Sequence, residues 1–202
     1  MIPAYETSVF INCPFDSEFE PLFDALVFAT VCCRFEPRSA IEKLDAGSSR
    51  LDRIVRAMFS SKYSIHDLSR CRGEGNDNLA RFNMPLELGM AMARAFMASP
   101  AHDWLVLIPK SAQYASYISD LAAFDPLVHD GSPSTVVPQV MLWLADRPGA
   151  VVPFTPSQVL KALPEYQTEV NTLRREWVTG MRWSDRLSLA IKHSRRLAAS
   201  QP

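Results

Sequence analysis

Two carboxylates at the ends of neighbouring elements are the side chains in this sequence best suited to chemistry. Asp67 lies in the stretch SIHDLS at 64–69, which predicts the end of a buried strand, and Glu87 lies in RFNMPLELGMAMA at 81–93, which predicts the opening turns of an apolar helix. In a parallel α/β sheet these two places face one crevice, where ligands bind. Two carboxylates at one cleft are typical of chemistry at a glycosidic carbon.

Each of these acids also has a purely structural interpretation. Glu87 fits a first-turn acid that the helix dipole favours, although it is the only charged residue of MPLELGMAMA. Asp67 fits the cap of a turn after a strand. Asp16, in the loop PFD after the first strand, serves equally well as a helix cap or as a third acid at the cleft. His66 precedes Asp67, so its side chain points to the opposite face, and a core histidine is the favoured interpretation.

Several polar or small residues near the same edge are candidates for substrate contacts. Asn83 lies four residues before Glu87 on the same helix face, and Gly89 allows close approach to the next turn. Asn12, at the end of the first strand, either binds a ligand hydroxyl or satisfies backbone groups. The predicted substrate-binding residues are Asn12, Phe15, Asp16, Arg38, Asn83 and Gly89. Together with Arg38, nearby arginines fit either a phosphate clamp or solvated surface charges; they are Arg70, Arg72 and Arg81.

Strand and helix patterns alternate through the first 147 residues, which predicts a parallel sheet with helices on both faces. The strand patterns lie at 8–13, 35–40, 62–68, 103–109 and, for a short fifth strand, 117–121. Helical spacing follows each of the first three strands, with Ser17 as the predicted N-cap of the first helix, and returns at 134–147. The sequence therefore predicts a flavodoxin-like three-layer fold with strand order 2-1-3-4-5 and a cleft between the first and third strands.

A Pro-rich connection at 148–156 separates this α/β domain, residues 1–150, from a helical extension at 151–202. The extension contains three helical patterns, SQVLKAL, EYQTEVNTLRREWV and SDRLSLAIKHSRRLAAS, which are too few to form a core alone. We expect them to pack on the α/β domain or on another copy of the chain.

Composition narrows the class of partner. The chain has 202 residues, 48% of them hydrophobic and 21% charged, and a net charge of −1, so no basic field points to a nucleic-acid polymer. No apolar stretch is long enough to span a bilayer, and no signal peptide opens the sequence, so we expect a cytoplasmic protein. The four cysteines lack metal-ligand spacing, and no metal site is predicted.

Two motifs resemble a known superfamily, which joins nucleoside 2-deoxyribosyltransferases with Toll/interleukin-1 receptor (TIR) domains. VFINCPFD resembles the first strand and loop of TIR domains, and YSIHDLS followed by NMPLELGMA resembles the strand and glutamate helix of both groups. The resemblance covers residues 8–110. It implies that Glu87 is the catalytic glutamate and that Asp67 contacts the substrate. The transferases have a Gly-rich loop where this chain has PFD.

The resemblance implies a TIR-like N-glycosidase that cleaves the base–ribose bond of NAD or a related nucleotide, with no cofactor beyond that substrate. Because TIR-like bacterial proteins often act in antiphage defence, it also implies a toxic activity switched on by homo-oligomerisation. Two alternatives stay open: a nucleotide-binding signalling module without catalysis, and a nucleoside 2-deoxyribosyltransferase that needs a second base as acceptor.

Overall fold

Five parallel strands form one sheet through the centre of the protein. The computed structural model describes residues 4–42, 47, 49–71, 82–97, 102–110, 124–177 and 180–200. The strands are β1 (Ser8–Asn12), β2 (Glu36–Ser39), β3 (Tyr63–Asp67), β4 (Asp103–Pro109) and β5 (Leu127–His129). Their order is β2-β1-β3-β4-β5, and all four pairings are parallel. The predicted flavodoxin-like order is therefore confirmed.

Helices cover both faces of this sheet. They are α1 (Glu20–Cys32), α2 (Arg50–Phe59), α3 (Asn83–Met97), α4 (Pro133–Ala145), α5 (Pro156–Glu176) and α6 (Trp183–Ala199), with a short 3-10 turn at Tyr5–Thr7. α1 and α4 pack on one face, and α2 and α3 pack on the other. No helix in the described part of the chain is both long and apolar enough to cross a membrane.

Side-chain alternation along the strands fixes which residues reach which face. Val9 and Ile11 of β1 and Ile65 of β3 belong to the large core formed with α1 and α4. Phe10 packs instead against α2 and α3, as does Val106 of β4 against α3. Because side chains in a strand point alternately to the two faces, this parity carries on to the polar residues at the carboxyl edge.

The helical extension shares the core of the α/β domain. Val159 and Tyr166 of α5 and Trp183 of α6 are buried in the same hydrophobic cluster as α1 and α4. Arg186 of α6 reaches α1, where its guanidinium is hydrogen-bonded to the carboxylate of Asp24. α5 and α6 thus form a further helical layer outside α1.

Three details differ from the sequence prediction. Residues 117–121, where the fifth strand is predicted, lie outside the described residues, and the fifth strand of the sheet is Leu127–His129, too short to give a periodic signal. α1 begins at Glu20 rather than after Ser17, since Asp16 Oδ1 accepts the Phe19 backbone N–H at 3.0 Å. α5 runs through Pro164 without the predicted break.

Packing explains the continuous α5. A proline inside a helix costs about 3 kcal/mol because it lacks an N–H and crowds the preceding turn. Leu163 and Tyr166, on either side of Pro164, are both buried, and the Tyr166 ring stacks on Phe28 of α1 with centroids 5.0 Å apart. Burial of two such side chains is of the same size as the cost of the proline.

Candidate functional site

The polar residues at the carboxyl edge of the sheet fall into two groups, one on each face. By strand parity, Asp67 follows Ile65 toward α1 and α4, and His66 points toward α2 and α3 together with its β1 neighbour Asn12. Glu87 lies on α3 and therefore belongs to the second group. No hydrogen bond or ion pair links these two described carboxylates, Asp67 and Glu87, so each has its own environment.

Asp67 is fully buried and holds the chain around it. Its Oδ1 accepts the Ser69 backbone N–H at 2.8 Å, which is the turn-capping role that its position allows. Its Oδ2 lies 3.2 Å from Nε2 of His129, at the end of β5, which is within ion-pair range, yet Oδ2 accepts no hydrogen bond. The Asp67 carboxylate is thus directed at His129 and away from solvent.

His129 resembles the base of a Ser–His–Asp triad, but its hydrogen bonds rule that role out. The Gly131 backbone N–H donates to His129 Nδ1 at 3.0 Å, so Nδ1 is unprotonated and the ring proton is on Nε2. That same Nε2 faces both Asp67 Oδ2 and Ser69 Oγ, the latter at 3.5 Å. A ring nitrogen that carries a proton cannot accept one from Ser69, so His129 acts here as a donor.

An open cleft of about 600 Å³ lies above this group. It is lined by Glu18, Phe19, Leu22, Ser69, Arg70, Pro109, Lys110, His129, Asp130 and Gly131. Arg70 donates to both oxygens of Asp16 at 3.1 Å and to Glu18 at 2.7 Å. Asp16 therefore holds the turn that precedes α1, through the Phe19 N–H, and also anchors an arginine at the cleft. Arg72 and Arg81 lie outside the described residues.

Glu87 has a very different environment on the other face. Its side chain is 3% exposed, in the first turns of α3, and it makes a hydrogen bond with the side chain of Asn83 one turn earlier. Burial raises the pKa of the Glu87 carboxyl from 4.5 to about 7, while the charge of Arg50 at the start of α2 and the Asn83 hydrogen bond act to lower it. A carboxyl group with this pKa exchanges its proton near neutral pH, as catalytic carboxyl groups do.

Asn12 lies beside this group and has little left to offer a ligand. Its Nδ2 donates one hydrogen to the backbone oxygen of Met84 in α3 at 3.1 Å and the other to His66 Nδ1 at 3.0 Å. Both hydrogens of the Asn12 amide are therefore taken up by protein groups. His66 is completely buried, so the prediction of a core histidine is confirmed.

The remaining predicted contacts have structural roles. Phe15 packs edge-on against Phe23 with ring centroids 5.3 Å apart. Arg38, on the edge strand β2, donates through Nε to Glu42 at 2.7 Å. Gly89 is exposed, and apart from its own helix no described atom lies within 4 Å of the place where a Cβ would stand; no described strand approaches it, and a close approach by a ligand stays a prediction.

The Cys13 thiol is close enough to both acids for their charges to raise its pKa. Burial is the largest cause that raises its pKa well above 9, and the negative charges of Asp67 and, more weakly, Glu87 raise it further. Cys13 is therefore a protonated, buried thiol. The two carboxylates lie on different faces but at the same end of β1.

Within the described residues, one cluster has the donor atoms of a metal site. Ligand atoms of Glu165, Glu169 and His193, between α5 and α6, lie within 4.8 Å of one another. Lys192 and Arg196 already bind these carboxylates, at 2.5 Å to Glu169 and 3.0 Å to Glu165. The cluster is thus neutralised by side-chain cations and acts as an interhelical ion-pair network.

Sequence reasoning missed three contributors to these groups. His129 is on a three-residue strand, and Arg50 is near Glu87 only because α2 and α3 are neighbours in space. His102 joins His66 through Ser64, a link that the S-x-H spacing on β3 suggests in retrospect, since both residues point to one face.

The comparisons with known proteins add no family to this geometry. Neither the family models nor the curated proteins give a match to this chain. Two features at the carboxyl edge bear on function. One is the open cleft lined by Arg70 and Lys110, and the other is the buried carboxyl group of Glu87, with a pKa of about 7.

Proposed function

We propose that the protein is a nucleotide N-glycosidase that cleaves the base–ribose bond of NAD or a related nucleotide, with Glu87 as the catalytic carboxylate. The observation that carries this proposal is the burial of Glu87 with a pKa of about 7 at the carboxyl edge of a parallel sheet. Ligands bind at that edge in folds of this order. An acid in such an environment is costly to ionise and is therefore a candidate for function.

The chemistry fits one carboxylate. When the C1′–N bond of NAD breaks, its electron pair leaves with nicotinamide, and positive charge develops on the ribose as an oxocarbenium ion. An ionised Glu87 beside C1′ stabilises that charge or bonds to it. Water then adds to C1′ and releases one proton, so the products are nicotinamide, ADP-ribose and a proton.

Because the pKa of Glu87 is raised to about 7, the cleavage rate should change with pH near neutrality, in a direction that depends on the class of substrate. Nicotinamide leaves NAD as a neutral molecule and needs no acid, so cleavage requires the ionised Glu87 and the rate rises with pH through about 7. An ordinary nucleoside releases a base that must be protonated. With such a substrate a protonated Glu87 is the useful form, and the rate falls over the same range.

The neighbours of Glu87 have distinct roles in the proposal. Asn83 orients the Glu87 carboxyl through their hydrogen bond, and we assign the exposed guanidinium of Arg50, which is close enough to lower the pKa of Glu87, to a substrate phosphate. Asp67 is fully buried and directed at His129, so we assign it to ordering the cleft floor rather than to touching ribose. The TIR-like motifs extend the proposal to a bacterial antiphage role in which homo-oligomerisation switches the activity on.

The test is a substrate panel read by mass spectrometry. Purified protein is incubated with NAD, nucleosides and nucleoside monophosphates, with and without free base, and its oligomeric state is measured in the same samples. We expect base release by the wild type, loss of release in Glu87→Gln, and full release in the surface control Glu165→Gln. A wild-type oligomer that is inert toward the whole panel, or an active Glu87→Gln, overturns the proposal.

A second function is favoured by the cleft on the other face. Lys110 lines this cleft, and its cation suits a phosphorylated ligand. The protein would then bind a nucleotide and signal through α5 and α6. Tight nucleotide binding without turnover, lost in Lys110→Ala and kept in Glu87→Gln, is the result that supports this alternative.

A further inference from the structure

A chain of hydrogen bonds crosses the apolar layer between the sheet and α3. From the Met84 backbone oxygen it passes to Asn12, then to His66, Ser64 and His102, and it ends at the Ser61 backbone oxygen. The successive donor–acceptor distances are 3.1, 3.0, 2.8, 2.8 and 3.0 Å. All these side chains are at most 3% exposed, so water does not complete their bonding.

The two ends of the chain fix the direction of its hydrogens. Both ends are carbonyl oxygens, which only accept, so the Asn12 amide nitrogen faces Met84 and His102 donates from Nδ1 to Ser61. Asn12 Nδ2 also donates to His66 Nδ1, which is therefore unprotonated, and the single ring proton of His66 is on Nε2.

The middle of the chain then has one consistent arrangement. His66 Nε2 donates to Ser64 Oγ, and the Ser64 hydroxyl donates to Nε2 of a neutral His102. Burial lowers the pKa of His66 to about 3 and is also the main cause that lowers the pKa of His102, so both rings are neutral at physiological pH. Every donor in the chain has an acceptor, and a break at any link leaves buried polar atoms without a partner.

The Met84 end of this hydrogen-bond chain is in the first turn of α3, close to Glu87 in the sequence. Met84 lies three residues before Glu87, and its side chain is buried beside Val106 of β4. Asn12 supplies the polar contact that holds this turn on the sheet, since its amide reaches the Met84 oxygen from the end of β1. The depth at which Glu87 is buried follows from the position of this turn.

We infer that Asn12, oriented by His66, is a positioning residue that holds the first turn of α3 on the sheet and so sets how deeply Glu87 is buried. This inference rests on the proposed function only for its catalytic consequence. Asn12 is predicted either to bind a ligand hydroxyl or to satisfy backbone groups, and its geometry favours the second role, because both amide hydrogens bind protein groups.

The direction of the hydrogen bonds is tested first, in the wild-type protein and without any substrate. Long-range ¹⁵N–¹H spectra of the full-length protein report which ring nitrogen of each histidine carries the proton. We expect the Nε2–H tautomer for His66 and the Nδ1–H tautomer for His102 at pH 7. A charged His66, or one protonated on Nδ1, overturns the direction of the chain.

Two variants then separate positioning from mere stability. Asn12→Leu keeps the size of the side chain but removes the donor at α3, whereas Ser64→Ala breaks the chain at its far side and leaves the Asn12–Met84 contact intact. The carboxyl pKa of Glu87, followed by ¹³C NMR with Glu87→Gln to assign the signal, is expected to fall by about one unit or more in Asn12→Leu, a tenfold change in its ionisation equilibrium. In Ser64→Ala the pKa stays at the wild-type value.

The outcomes are distinct from those of the substrate panel. Equal Glu87 pKa values in Asn12→Leu and the wild type, or an equal fall in both variants, overturn the positioning role whether or not the protein cleaves a nucleotide. If Asn12→Leu does not fold, Asn12→Ser serves instead, because its short hydroxyl donates one hydrogen and cannot reach both acceptors. Where release of nicotinamide from NAD is detected, we expect Asn12→Leu to lower kcat about tenfold with little change in KM at pH 8, where Glu87 is mostly ionised in both proteins and the loss reports its position.

Discussion

Replacing Glu87 by glutamine should stabilise the protein while it removes the proposed catalyst. Folding raises the pKa of the Glu87 carboxyl from 4.5 to about 7, mainly because the side chain is buried. A difference of one in pKa corresponds to about 1.36 kcal/mol. The rise from 4.5 to about 7 therefore means that ionised Glu87 lowers the free energy of unfolding by up to about 3 kcal/mol. Glutamine is neutral at every pH and keeps a hydrogen-bonding partner in Asn83.

The sign of the effect follows from linkage. Because the folded pKa of Glu87 lies above the unfolded value, its contribution is most favourable below pH 4.5 and is lost as pH rises through about 7. Glu87→Gln should therefore match the wild type near pH 4 and exceed it by up to about 3 kcal/mol at pH 8. In a chain of this size that gain raises Tm by about 6–12 °C.

Urea unfolding of both proteins at pH 4, 6 and 8 measures this difference. Other titrating groups are common to the two proteins and cancel in the comparison. Glu165→Gln is the matched control, since Glu165 is 66% exposed in a surface pair with Arg196, and its removal should change stability by less than about 1 kcal/mol. A Glu87→Gln variant that is less stable than the wild type at pH 8, or whose advantage does not grow with pH, refutes the reasoning.

Three further predictions concern other buried polar groups. Arg186→Met should cost about 3 kcal/mol in urea unfolding, because buried Asp24 is left with only the more distant guanidinium of Arg174, 3.8 Å away, whereas the exposed Arg182→Met should cost less than about 1 kcal/mol. Tyr166→Phe should be neutral or stabilising by about 1 kcal/mol in thermal melts, since the buried Tyr166 hydroxyl makes no hydrogen bond with the described residues; a clear loss of stability would contradict this. The pKa of His66 is about 3 in the folded protein, below its usual 6.5, so the stabilising effect of His66 is complete above pH 6.5 and is lost toward pH 3. The stability advantage of the wild type over His66→Gln in urea unfolding should therefore shrink by about 1.4 kcal/mol for each pH unit below 6.

The sequence predicts the sheet well where its strands are long and apolar. DWLVLIP and SVFIN have the β-branched and aromatic runs of central strands, and the structure has β4 and β1 there. β5 has three residues, and no periodicity develops over so short a stretch. The continuous α5 depends on tertiary contacts of Leu163 and Tyr166, which outweigh the local effect of Pro164.

The candidate site is predictable in part. Glu87 stands out in the sequence as a lone acid on an apolar helix, and the structure has it buried. Strand parity directs Asp67 and His66 to opposite faces, and Glu87 lies on the face of His66, so a contact of Asp67 and Glu87 with one ligand stays a prediction. Contacts such as Arg186 with Asp24, 162 residues apart, leave no local signal, and neither does the approach of Arg50 to Glu87.

The contrast between two neighbouring polar groups supports Glu87 as the centre of the chemistry. The hydrogen-bond chain from Asn12 to His102 is buried, and every donor in it has an acceptor within the protein. It therefore contributes to stability but has no free donor for a ligand. Glu87, one turn along α3 from the Met84 end of that chain, makes a hydrogen bond with the Asn83 side chain, and its burial makes ionisation costly. Within the described part of the chain Glu87 has no ion pair, and the nearby Arg50 is exposed, which supports the proposal that an ionised Glu87 stabilises positive charge that develops on a ribose.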